Sequence, residues 1–208
     1  GGDVVHGFEA GASVPGRGGA SLRAQALPGE KSPRIACVHH RLRYKPRMPP
    51  PLTDLQTLAA LRRANALARA ALQAGHHPFG ALLLDADGET VLLEQGNVST
   101  VEHAESVLAR NAAARFTPEQ LWQCTLVTTV EPCAMCAGTQ YWAHIGRLVY
   151  GLAERRLLEL TGNHAENPTL DLPCREVFAR GQKSIAVIGP VAAAEDEIVA
   201  LHRDFWQR

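Results

Sequence analysis

No apolar stretch in these 208 residues approaches the length of a membrane span, which sets a bilayer-crossing helix aside. The opening residues also lack the basic-then-apolar order of a secretory signal. There is no internal repeat, so stacked-repeat architectures are excluded. Nor is there net charge, since 21 Lys and Arg balance 21 Asp and Glu. The balance is uneven, however. Residues 1–47 carry eight basic and three acidic side chains, a surplus of +5, which leaves 13 basic and 18 acidic in residues 48–208, a surplus of −5. Proteins that grip nucleic acid need a basic footprint against the phosphates, and by count the larger part of the chain has none. Five cysteines, an odd number, do not read as a disulfide framework. Thiols kept free point to a reducing compartment, the cytoplasm.

At 46% hydrophobic and 20% charged, the composition is that of a globular protein, and the length suits one domain with a substantial core. Residues 1–47 read differently. Gly1-Gly2, Gly16-Arg17-Gly18-Gly19 and scattered Pro and Arg break every periodic pattern, and we expect a disordered N-terminal extension there. Cys37-Val38-His39-His40 falls inside it. Met48 ahead of Pro49-Pro50-Pro51 reads as the start of the folded part, residues 48–208, and the segment before it as an upstream extension from an early gene start.

From Leu55 the apolar residues Leu58, Leu61, Ala64, Leu67, Ala68, Ala71 and Leu72 recur at three and four, a helix capped by Thr53 or Asp54. Ala81–Leu84 and Thr90–Gln95 are strands around the Asp85-Ala86-Asp87-Gly88 turn. A helix opened by His103 runs to about Arg115, and a short capped helix follows Thr117-Pro118. The pattern then gives a strand over 124–130, a helix to about Ala143, a strand over 147–151 and a helix from Glu154 to Leu160. A loop rich in Asn, His and Pro leads to a helix over 174–179, a strand over 185–188 and a last helix from about Ala194 to Trp206. Strands alternating with helices imply an α/β fold, a three-layer α/β/α sandwich. The hairpin makes its five-stranded sheet mixed.

Chemistry concentrates in two stretches, His103-Ala104-Glu105 and Glu131-Pro132-Cys133-Ala134-Met135-Cys136. Zinc takes imidazole and thiolate ligands tetrahedrally, and a catalytic site uses three protein ligands and leaves one position open. His103, Cys133 and Cys136 make three. Two thiolates offset the charge of the metal, and the imidazole adds none. Cys133 and Cys136, three apart, share a helix face, and Pro132 suits the first turn of that helix. A helix N-terminus favours the thiolate form that binds metal. Glu105 lies two residues from His103, and such residues point apart in a regular helix. Both reach one metal only if His103 sits at the irregular entry and Glu105 in the first turn. There a carboxylate is placed to move protons. A lone C-x-x-C is more simply a redox pair or half of a structural zinc site, with Cys124 and Cys174 as spare ligands. Neither of those would need Glu105.

H-x-E followed some way downstream by P-C-x-x-C resembles the signature of the cytidine-deaminase-like zinc deaminases. The order of elements over about Leu52 to Trp206 resembles their fold. The resemblance implies a Zn2+-dependent hydrolytic deaminase in which His103, Cys133 and Cys136 hold the metal and Glu105 is the proton shuttle. It also implies donors to a base from the backbone N–H groups of Ala104 and Cys133, and a homodimer. Cys136 to Ala143, with its Tyr141-Trp142 pair, resembles the free-base guanine deaminases, as do Pro78-Phe79-Gly80 and Asn97. Cys136-Ala137-Gly138 and Ile145 to Gly151 are also similar to the tRNA adenosine deaminases. A planar base needs apolar faces, which Phe79 and Trp142 can supply, and an amide for its edge, which Asn97 can supply. We therefore expect a free nucleobase as the small-molecule substrate, guanine going to xanthine. The alternatives are a tRNA adenosine deaminase, a cytosine or other amino-heterocycle deaminase, or a non-catalytic zinc scaffold. Residues 161–168 read as a surface loop, and Phe205-Trp206 as the docking point of the last helix.

Overall fold

The computed structural model describes residues 48–162, 164–165, 167–203 and 205–207. The chain divides into two units, residues 1–43 and 44–208. Residues 1–47, expected as an extension, lie outside the described residues.

The order is α1 (Asp54–Gln73), β1 (Gly80–Leu84), β2 (Val91–Gly96), α2 (Ala104–Ala113), α3 (Pro118–Gln123), β3 (Thr125–Val130) and α4 (Ala134–Trp142). Then come β4 (Arg147–Leu152), α5 (Glu154–Thr161), α6 (Cys174–Ala179), β5 (Ala186–Ile188), α7 (Ala192–His202) and a 3-10 turn, Phe205–Gln207. Thr53 is the cap of α1, in a reciprocal box with Gln56. The five strands lie in the order β2-β1-β3-β4-β5. β1 is antiparallel to both neighbours, while β3, β4 and β5 run parallel. This is the expected mixed sheet.

Strand alternation divides the core between two faces. Ala81, Leu83, Leu126, Leu148 and Tyr150 pack with the residues of α2, α4 and α6. Leu82, Leu84, Val127, Val149 and Leu152 pack with Leu61, Ala64 and Ile198 of α1 and α7. Helices therefore cover both faces. Gly80 begins β1 directly against α1, where a Cβ would collide with the Ala64 carbonyl and the Ala68 amide. A side chain there would force the helix off the sheet.

Two boundaries differ from expectation. Pro132 lies ahead of the helix and not in its first turn, because Cys133 is extended (φ −62°, ψ 170°) and serves as the N-cap of α4. The last helix stops at His202 instead of running to Trp206, and the chain tightens into the 3-10 turn that docks Trp206.

Candidate active site

The C-terminal end of β3 and the entry of α2 form the site. His103 is the N-cap of α2, extended at φ −64°, ψ 148°, and Glu105 is buried in the first turn. The non-helical residue turns the imidazole back toward the carboxylate, which a regular helix would not do. Cys133 holds the matching position at α4. His103 Nδ1 lies 3.6 Å from Cys133 Sγ and 3.5 Å from Cys136 Sγ, and the sulfurs are 3.7 Å apart. Among the described residues, no other trio of His, Cys, Asp or Glu gathers so closely. His103 Nε2 is 3.0 Å from the Thr100 carbonyl oxygen. That bond fixes the tautomer and leaves Nδ1 toward the sulfurs, the usual support of a metal-ligating histidine. One nitrogen and two sulfurs, partly sheltered, fit zinc with a fourth position left over.

Glu105 stands beside this trio. Its Oε2 is 3.5 Å from Cys136 Sγ, and its Oε1 accepts a 2.7 Å hydrogen bond from the fully buried Thr128 hydroxyl. Burial raises the Glu105 carboxyl above its ordinary range, and Thr128 pulls it partly back. Cys133 is held down to about 4, first by the hydrogen bond from the Cys136 thiol and then by His103. Cys136, the donor in that pair and buried, is held up. The His103 ring is raised, chiefly by its bond to Cys133. A trio poised between thiolate and imidazolium gives up its protons when a metal ion enters.

A cavity of about 490 Å3 opens in front of these groups. Its lining includes His77, Phe79, Thr100, His103, Glu105, Glu131, Cys133, Met135, Glu154 and Leu157. Ala165, Asn167, Pro168, Thr169 and Leu170 also line it, so the segment read as a surface loop reaches the pocket. Burial first, then the negative charge of Cys133, Glu105 and Glu131, lifts the Glu154 carboxyl to about 8. At neutral pH it can donate as well as accept a hydrogen bond.

Of the residues expected to touch a base, Phe79 lines the cavity. Ala104 is buried as the first residue of α2, where the backbone N–H groups have no partner inside the helix. Asn97 is buried and is not among the residues that line the cavity. Its Nδ2 donates to the Ser99 oxygen, and its Oδ1 has no partner among the described residues. Trp142 is not brought to the cavity. It is 77% exposed on the far flank of α4, in a groove with Ala109, Ala113 and Gly138, and cannot stack on a base in this chain's pocket. Glu131, Glu154, Thr128 and His77 were missed. The one sequence signal for Glu154 is its place just after a parallel strand, where α/β proteins gather ligands. Asn163 and Glu166, in the segment read as a surface loop, lie outside the described residues, and His164 packs its ring 5.4 Å from Trp206.

Residues 55–152 match the cytidine and deoxycytidylate deaminase zinc-binding region. A probable cytosine deaminase of Schizosaccharomyces pombe is 35% identical over 153 residues, 72% of this chain and 91% of the relative. The guanine deaminase of Bacillus subtilis is 39% identical over 95 residues, 43% of this chain and 60% of the relative. Among solved structures, a tRNA:A34 deaminase studied for A-to-I editing at the wobble position superposes with a TM-score of 0.51 at 26% identity, covering 69% of this chain and 98% of its own. No helix among the described residues is long and apolar enough to cross a membrane.

Proposed function

The chain belongs to the cytidine-deaminase-like family of zinc-dependent hydrolytic deaminases, and from that premise we propose that it deaminates a free nucleobase, guanine to xanthine. The observation that carries this reading is the cavity of about 490 Å3, which has room for a bicyclic base and has Glu105 and Glu154 among its lining residues. The net reaction takes up one water and releases one ammonia.

His103, Cys133 and Cys136 would hold zinc, which would supply the Lewis acidity that makes water reactive at neutral pH. Glu105 accepts a proton from that water and returns protons to the ring nitrogen and to the departing ammonia. Its burial suits both duties, because a raised carboxyl gains and loses a proton more evenly near neutrality. Phe79 gives the base an apolar wall. Glu154, also on the cavity lining, offers its carboxyl group to the polar edge of the base.

Cytosine is the second reading, favoured by the S. pombe relative, which this chain matches over most of its length. RNA is disfavoured by the net −5 of residues 48–208. We take residues 48–208 as the catalytic domain and the cytoplasm as its compartment. We further propose a homodimer across the α2–α4 groove, where Trp142 and Met135 are exposed. Light scattering of Trp142→Glu tests it, with a monomer expected and an unchanged dimer refuting that surface.

Purified protein incubated with guanine, cytosine, adenine, their nucleosides and a tRNA anticodon stem, with ammonia assayed, decides the substrate. Guanine should turn over fastest. Turnover of RNA alone would overturn the free-base reading.

A further inference from the structure

Glu131 is 7% exposed and touches the cavity, yet the chemistry above gives it no task. Its contacts are unusual. Oε2 accepts the backbone N–H of Glu154 at 3.3 Å, and Oε1 accepts that of Cys174 at 3.0 Å. These are the first residues of α5 and α6. Neither helix has a cap of its own, since the residues at the capping positions are Ala153 and Pro173 and neither makes a side-chain cap bond. Serine, threonine, aspartate or asparagine normally serve there. One carboxylate from a third segment does the work for both helices, with its negative charge at two positive helix ends. The backbone N–H of Glu131 meanwhile donates to the Leu152 oxygen at 2.8 Å, which ties the ends of β3 and β4 together.

The chain between the two helices, residues 162–173, carries Ala165, Asn167, Pro168, Thr169 and Leu170 to the cavity. Among its described residues, Asn167 N–H donates to the His164 oxygen and Leu172 N–H to the Leu170 oxygen, both local bonds. Its two flanking helices begin on the same carboxylate, two residues from Cys133. We propose that Glu131 is a positioning residue: as the shared cap of α5 and α6 it sets Glu154 and the 162–173 segment over the base, and so governs substrate binding without touching the substrate. The proposal rests on the deaminase reading only for its kinetic assay.

Glu131→Gln tests it. The amide offers one oxygen, so one of the two N–H groups faces its NH2 instead of an acceptor. Zinc content should stay stoichiometric and kcat within about threefold, while KM for the base rises roughly tenfold, the factor that about one lost cap corresponds to. Adding local caps to that variant, Ala153→Asp with Pro173→Asp, should bring KM back to within about threefold of the parent. An unchanged KM in Glu131→Gln, or a raised KM that the added caps leave untouched, overturns the proposal, the latter because it marks direct contact with substrate. If Glu131→Gln does not fold, the triple variant decides alone. Near-parental KM supports the shared cap, and failure to fold or a raised KM refutes it. Limited proteolysis without substrate separates this inference from the substrate assignment. Cleavage within 162–173 should quicken in Glu131→Gln and slow again in the triple variant even if the parent protein proves inert on every base, and unchanged cleavage overturns the cap.

Discussion

Replacing Thr128 by valine removes one hydroxyl and almost nothing else. Thr128 is fully buried, and its Oγ1 lies 2.7 Å from Glu105 Oε1. Valine keeps the shape but leaves a buried carboxyl oxygen without its donor. A hydrogen bond to a charged group contributes about 1.5–3 kcal/mol, and about 1.4 kcal/mol is a factor of ten in rate. Because Thr128 holds the Glu105 carboxyl down against the burial that lifts it, the loss also shrinks the fraction of carboxylate able to take a proton at neutral pH. Turnover should therefore fall roughly 10- to 100-fold. Zinc content should not change, since His103, Cys133 and Cys136 are untouched. KM should stay within about threefold, because Thr128 faces Glu105 and not the cavity. Thr128→Ser restores the donor and should recover most of kcat. The assay is steady-state ammonia release with metal analysis on the same samples. A kcat within twofold of the parent in Thr128→Val would refute the view that this hydroxyl aims the proton carrier.

Glu105→Gln should keep zinc and lose roughly 10²- to 10⁴-fold in turnover, the usual share of a positioned acid–base group, whereas Cys136→Ala should lose the metal itself by elemental analysis. His202 gives a stability test that leaves the zinc ligands untouched. It is fully buried, its Nδ1 accepts from Trp206 Nε1 at 3.2 Å, and burial, with His77 second, lowers it from 6.5 to about 4. For a base whose folded pKa is depressed, the unfolded chain binds the proton first. Stability is therefore intact above about 6.5 and drains as pH falls toward 4, by on the order of 3 kcal/mol. Denaturant unfolding between pH 7 and 4.5 should show a shallower loss in His202→Gln than in the parent, and parallel curves would refute it.

The metal centre was legible because its spacing is short-range. C-x-x-C at a helix entry and H-x-E at another need only local geometry, and the structure places His103 and Cys133 at equivalent N-cap positions. Element boundaries fell within a few residues wherever a cap or a glycine marked them, as at Thr53. Trp142 misled for a reason the sequence already contained. The buried residues of α4 are Cys136, Ala137 and Gln140, a stripe at helical spacing from which position 142 points away. Glu131 and Glu154 were illegible for a different reason. They meet because β3 and β4 are parallel neighbours, and no local pattern announces which strands adjoin.

That adjacency also supports the proposed free base. Parallel strands deliver the entries of α4 and α5 to one edge of the sheet, while the antiparallel β1 brings His77 and Phe79 to the same edge. The end of the chain then backs this wall. Trp206, 4% exposed, lies 5.1 Å from the His77 ring and 5.4 Å from that of His164, inside the segment that reaches the cavity. Three stretches distant in sequence thus support one another around the site. On the proposed reading, the base occupies the space between them in front of Glu105. Truncation before Phe205 should accordingly raise KM for the free base more than it lowers kcat, measured by the same ammonia assay. A truncated protein with an unaltered KM would show that the terminal turn has no part in enclosing the substrate.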